Sequence, residues 1–409
     1  MGGRVLRFLI SVGILAIPLT LSAQGLRDRD PDLEGTKKIV AELQQANIHS
    51  GMFYMLSRIR LADAGFAEDY YLPTGDVSGG ISLRVEAPNR LYFVPRRKTV
   101  FTVELIPGYS FFKAGSREGQ FDYSARADAH FLFNHLYIDA YTLLSDQLRA
   151  QIADVNRLAT QRDEESGVGG EFKYSSRTSA IFSARYRETD FPGRRFQPTD
   201  VPINQLDRVE KNGRIALHHK TFPRTSLFVA AEASEYEFDR AFVKDSSRRY
   251  IGGGFNHTAG RTALRAEVGQ TTLNFDDPSQ RDFSNLTGQM TLSRGTNRWN
   301  FQASAARDVG FSIYERNNYY ISSLGRILVD YAATRRLTLR AGTAVERDDY
   351  DIPVDGVLRE DTLTFTSAGF LYSFRKLQTG VEAGWYTRES NVLSEASGIR
   401  WVLHLSFTP

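Results

Sequence analysis

From about residue 50 onward, apolar and polar side chains alternate every second residue, in one long segment after another. The stretch FDYSARADAHFLFNHLYIDAY, residues 121–141, shows it most sharply. Phe121, Tyr123, Ala125, Ala127, Ala129, Phe131 and Phe133 share one parity, and Asp122, Ser124, Arg126, Asp128 and His130 share the other. Successive side chains of a strand point to opposite faces, so a period of two means one oily and one wet face. Ile81, Leu83 and Val85 alternate in the same way with Ser82, Arg84 and Glu86. So do Leu286, Met290 and Leu292 with Thr287, Gln289, Thr291 and Ser293. Segments near 179–187, 224–238 and 361–374 fit either parity.

The links between these segments sort by length. Short ones fall at 133–135, 259–261, 294–297, 334–336 and 375–376. Long polar ones fall at 146–166, 189–208, 274–282, 307–317, 347–360 and 389–396. A soluble sandwich has no reason to alternate tight and long links, whereas a transmembrane barrel has tight periplasmic turns and longer external loops. Many segments run to roughly 10–14 residues, beyond the ~5–6 of ordinary strands and enough for the ~9–11 that cross a bilayer at a tilt. Backbone polar groups in lipid must pair internally, so a spanning sheet must close. The reading is all-β: an antiparallel transmembrane β-barrel of about 16–18 strands with a short N-terminal helical segment. The count is even if both termini are periplasmic.

Parity then assigns an inner wall. Arg84, Glu86, Arg126, Asp128, His130, Tyr137 and Tyr141 face the lumen, as do Glu171, Lys173, Arg265, Glu267, Arg340, Glu346, Glu382 and Arg400. The signs are mixed, which predicts no strong preference for cations or anions. Tyr137 and Tyr141 are candidate stacking surfaces for a solute. About eighteen strands leave an interior wide enough for water unless something plugs it.

Residues 1–23 differ from the rest. Arg4 and Arg7 precede an apolar run over 8–21, and Ala23 ends a plausible cleavage site, so this segment reads as a secretory signal peptide. Residues 24–49 form a periplasmic N-terminal segment, with Ile39, Leu43 and Ala46 at helical spacing among Lys37, Lys38 and Glu42. It reads as an extension rather than a plug, and the barrel occupies 50–409. The chain has no cysteine, which excludes disulfides and zinc–thiolate sites. A net charge of +3 with no basic tail gives no ground for nucleic-acid binding.

Chemical sites find little support in the pattern. A barrel-embedded hydrolase would need a histidine beside a serine and a carboxylate. His130 near Asp128 and His404 near Ser406 have inward parity, yet His130 lies several strands from the seam. Both read as wall residues, and no catalytic residue is assigned. His218 and His219 point to opposite faces and cannot share an ion. Asp276, Asp277, Asp348, Asp349 and Asp351 read as solvated loop acids rather than calcium ligands. The glycine runs 167–170 and 252–254 lack the sequence of a phosphate loop and suit close backbone approach within strands. No metal or cofactor is expected.

The C-terminal GIRWVLHLSFTP alternates Ile399, Trp401, Leu403, Leu405 and Phe407 against Arg400, Val402, His404 and Ser406. It resembles the last strand of bacterial outer-membrane barrels, which the barrel-assembly machinery recognises, although here the terminal aromatic stands two residues from the end. FDYSARADAHFLFNHLYIDAYTLLSDQ, residues 121–147, resembles the β-barrel porin families associated with exopolysaccharide gene clusters. That resemblance covers most of 80–409 at the level of barrel architecture. It implies a place in the outer membrane of a Gram-negative cell, in contact with its lipid, and a polar path for small solutes or secreted polysaccharide. Two alternatives stand beside it: a non-conducting barrel whose external loops bind a partner or surface, and the barrel-embedded hydrolase.

Overall fold

The computed structural model describes residues 35–67, 80–96, 98–113, 119–151, 157–192, 203–313, 318–351, 357–392 and 395–408. The expected signal peptide lies outside these residues. A helix, α1 (Gly35–Leu43), leads into five short strands. These are β1 (Ile48–Ser50), β2 (Phe53–Ser57), β3 (Ile59–Ala67), β4 (Gly80–Glu86) and β5 (Asn89–Arg96). Longer strands follow: β6 (Thr99–Lys113), β7 (Gln120–Leu132), β8 (Leu136–Gln151), β9 (Arg157–Lys173), β10 (Thr178–Asp190), β11 (Arg208–Phe222), β12 (Thr225–Phe238) and β13 (Ser246–Ala259). The sheet continues through β14 (Thr262–Phe275), β15 (Phe283–Gly295), β16 (Trp299–Phe311), β17 (Tyr319–Ala332), β18 (Leu337–Tyr350), β19 (Glu360–Phe374), β20 (Leu377–Ser390) and β21 (Ala396–Phe407).

Each long strand pairs antiparallel with its chain neighbours, and β21 pairs with β3 to close the cylinder. β2 and β3 are halves of one barrel strand, and β4 and β5 are halves of the next. Pro88 accounts for the second break, because it has no N–H for the ladder. Its carbonyl accepts the Arg58 N–H at 3.0 Å, while Ala87 N–H reaches Pro107 O at 3.0 Å. Two broken strands and sixteen continuous ones make eighteen, within the expected range.

The two-residue period decides which face each side chain takes. Phe121 is 61% exposed on the outer face while its neighbour Asp122 is fully buried. Ile251 is 71% and Val229 61% exposed on the same outer surface. Contiguous exposed apolar surface on this scale marks a face that meets lipid. Phe133, Phe172, Phe222, Trp299, Phe374 and Phe407 form an outward aromatic belt at one end, with Trp299 against Tyr331 at 4.5 Å. Aromatic rings of this kind sit at membrane interfaces.

That belt lies at the tight-turn end, where β21 also terminates against Leu377 and Ile59. The expected short turns recur there: residues 133–135, 260–261, 296–298, 333–336 and 375–376. Two more, 174–177 and 223–224, were not expected. Gly260 and Arg375 hold the left-handed backbone (φ 60° and 51°) that two-residue turns demand. At the far end the expected 146–166 loop shrinks, because β8 continues to Gln151 and β9 begins at Arg157. Likewise β18 runs to Tyr350, which puts Asp348 on a strand, fully buried, and not in a solvated loop.

The lumen as candidate functional site

The inner wall holds the side chains that parity assigned to it. Arg84 reaches Glu86 (3.7 Å) and Asp122 (3.6 Å), and Glu86 also pairs with Arg60. Arg126 bonds Asp128 at 2.8 Å and lies 4.2 Å above the Tyr141 ring, whose hydroxyl donates to Glu165 at 2.6 Å. His130 Nδ1 and the Tyr137 hydroxyl are 3.0 Å apart. Arg265 approaches Glu267 at 3.9 Å, and Arg340 pairs with Asp330 at 2.7 Å. Glu346 accepts the Ser322 hydroxyl at 2.9 Å, Glu382 faces His404 Nε2 at 3.6 Å, and Arg400 is buried. Glu171 and Lys173 line an open cavity described below.

Tyr137 and Tyr141 are not free to stack on a solute. Tyr141 is covered by Arg126, and Tyr137 is buried beneath the start of α1. A Cβ at Gly35 would meet the Tyr137 ring at 2.4 Å, so a larger residue there would displace the ring or the helix start. Gly167 plays the corresponding part opposite Tyr141, where a Cβ would lie 2.7 Å from the ring.

Several wall groups escaped the parity reading. Arg214 joins Glu232 (3.4 Å) and Glu267 (2.9 Å), and Arg248 reaches Asp308 across two intervening strands at 2.7 Å. Arg185 pairs with Glu210 at 2.8 Å and Arg187 with Asp163 at 2.9 Å. Most stand on β10–β13, where alanine and glycine on the outer face blur the apolar parity. Pairing in this drier interior satisfies charges that would be costly to leave alone.

The lumen differs along its length. At the external end an aromatic core fills the wall from β10 to β18, with Phe191, Leu206, Phe238, Phe311, Tyr320 and Tyr350 buried together. Phe311 meets Tyr236 and Phe238 edge-on, each at 4.9 Å. The short 3-10 turn Ile203–Leu206 folds inward onto this core. Asp207 accepts the Phe191 N–H at 2.7 Å and so joins the end of β10 to the start of β11, and burial pushes its carboxyl up to about 6. Lys244, on the neighbouring loop, is fully buried and donates to the Ser312 carbonyl.

At the tight-turn end α1 lies against the inner wall. Ile39 packs on Tyr92 and Val100, with Leu43, Val94 and Leu132 around them. Glu42 accepts the Tyr92 hydroxyl at 3.1 Å and pairs with Arg90 at 3.1 Å, while Arg90 also bonds Glu104 at 2.9 Å. Within the segment read as a plain extension, α1 therefore packs on the lumen wall. Its greasy stripe was legible, but the surface that receives it was not, because Tyr92, Val100 and Leu132 come from three strands.

Around the wall from α1, between β9 and β17, lies a cavity of about 1210 Å³. Lys173, Arg177, Lys220, Arg224, Arg265 and Arg326 line it, against one acid, Glu171. Mixed signs along the whole lumen thus resolve into a paired, nearly neutral upper wall and a cationic vestibule below.

Residues 150–403, more than half of the chain, match the family model described as Putative beta-barrel porin 2. The fold is similar to the outer membrane protein OpdK of Pseudomonas aeruginosa, with 10% identity and a TM-score of 0.51, covering 86% of this chain and 98% of that one. It is also similar to OccK9 (OpdG) of the same organism, with 12% identity and a TM-score of 0.52, covering 88% and 100%. A BenF-like porin of Pseudomonas fluorescens Pf-5 aligns at 10% identity and a TM-score of 0.50, covering 87% and 99%. A comparison with curated protein sequences gives no match. With its oily exterior, polar interior and sorted turns, the chain belongs to the family Putative beta-barrel porin 2, an outer-membrane barrel that provides a porin-like path for solutes.

Proposed function

We propose that the barrel is a passive conduit for small hydrophilic solutes, narrowed by α1 at the periplasmic end and by the aromatic core at the external end. The vestibule carries this reading, since a polar space of about 1210 Å³ opens among the tight turns and continues into a wall of charged and hydroxyl side chains. Such a wall replaces part of a solute's lost hydration, which hydrocarbon cannot do. The bonds of the solute do not change: His130 is engaged by Tyr137 and His404 faces Glu382, and both read as parts of the wall. The helix is proposed as a periplasmic-side plug, the role its contacts with Tyr92 and Arg90 support. The inward fold of residues 203–206 favours a second reading, a barrel closed at rest whose external loops bind a partner.

Swelling of liposomes that contain the purified full chain separates the two. A conduit admits monosaccharides faster than disaccharides, and both faster than protein-free vesicles do. Rates equal to those of protein-free vesicles for every sugar favour the closed, loop-binding barrel.

A further inference from the structure

The vestibule concentrates positive charge with little counter-charge. Lys173, Arg177, Lys220, Arg224 and Arg326 come from three strands and two tight turns and line one space. None of the five forms an ion pair among the described residues, in contrast to the paired arginines higher in the lumen. Glu171 is the single acid on the lining. The cations also span a range of depth. Arg177 and Arg224 stand in tight turns, Lys173 and Lys220 lie near strand ends, and Arg326 is near the middle of β17. Thr178, Ser226, Asn256, Thr291 and Gln302 interleave with them and offer hydrogen bonds to hydroxyl groups.

The rim outside extends the same field. The tight turns carry Arg177, Arg224, Arg261, Arg298, Arg335 and Arg375 and contain no Asp or Glu among the described residues. A one-signed mouth leading into a lined recess raises the local concentration of the opposite charge. The volume also exceeds the roughly 300–1,000 Å³ that encloses one small ligand. Guanidinium and ammonium groups at several depths, spaced by hydroxyl and amide side chains, suit a chain of hydroxyl-rich units that repeats its negative charge.

We propose that the vestibule is a binding site for an acidic oligosaccharide, loaded from the periplasmic end, with Lys173, Arg177, Lys220, Arg224 and Arg326 as its cationic contacts. This deepens the conduit reading by naming a solute class, but binding at the vestibule does not require an open external end.

The test measures binding of a short oligogalacturonate to the detergent-solubilised full chain by calorimetry, with a neutral maltooligosaccharide of equal length as comparison. The acidic probe binds, its affinity falls with added salt, and the neutral probe does not bind. Lys220→Gln combined with Arg224→Gln weakens binding about tenfold, as expected for two solvent-exposed ionic contacts. The rim pair Arg375→Gln with Lys376→Gln, outside the cavity, changes affinity far less. Heat-shifted gel mobility verifies that each variant is folded. Absence of binding, equal binding of the neutral probe, or equal losses from the two double variants overturns the site. Binding without sugar entry in the swelling assay removes the conduit and leaves the site, and sugar entry without binding does the reverse.

Discussion

Arg126 and Ala127 are chain neighbours that face different solvents. Arg126 is held inside by Asp128 and the Tyr141 ring, while Ala127 is exposed on the outer surface between Ala125 and Ala129. Ala127→Arg places a charge in hydrocarbon at a cost of about 2–4 kcal/mol near the midplane, so the heat-modifiable folded band should diminish in outer-membrane fractions. Arg126→Ala should leave that band near wild-type intensity, because it puts no charge into hydrocarbon and uncovers Asp128 on the lumen side. Equal tolerance of both changes contradicts the assigned parity. At this scale the sequence was informative, because facing follows from parity alone: Arg126, Glu267, Glu382 and Arg400 stand where a period of two puts them. Partnership was not legible. That Arg214 reaches Glu267 on β14, or that Arg126 caps Tyr141, depends on strand registry and lumen curvature, which no local pattern carries.

Among elements, α1 is the one whose position most affects the path. Full burial of a side chain such as Ile39 contributes about 1.5–3 kcal/mol, and the Glu42 contacts add direction to a docking that apolar packing alone would leave loose. Because the chain has no cysteine, Ile39→Cys with Val100→Cys creates its single thiol pair. Oxidation should cross-link helix to wall, shift the unfolded gel mobility and slow sugar entry, and reduction should restore both. A pair that never forms places α1 elsewhere. Strand ends were the least legible elements, for a physical reason. Above the bilayer both faces of a strand meet water, so alternation fades: Glu164 and Ser166 on β9 and Lys211 with Glu235 and Glu237 on β11 and β12 are outward, polar and exposed. Hence 146–151, 157–166 and 347–350 read as loop although they extend the ladder. The turns at 174–177 and 223–224 were missed because their flanking strands carry ambiguous parity.

For the whole molecule, a closed cylinder of about 16–18 strands was legible because two independent patterns, alternation and turn sorting, agree on it. The polarity of the cylinder was not. Basic residues gather in the tight turns, while many of the wall's acids stand toward the external end, paired as at Asp163, Glu210 and Asp308. The barrel is therefore electrically asymmetric along its axis, although its net charge is only +3. What makes this a membrane protein with a function, rather than a closed shell, is continuous water through that axis. Ion current across a planar lipid bilayer reads this directly. The purified barrel should insert with discrete, reproducible current steps, and removal of residues 24–46, which includes α1, should enlarge them. Insertion of folded barrels with no current step at any voltage, for both the full chain and the shortened one, would show that no aqueous path exists.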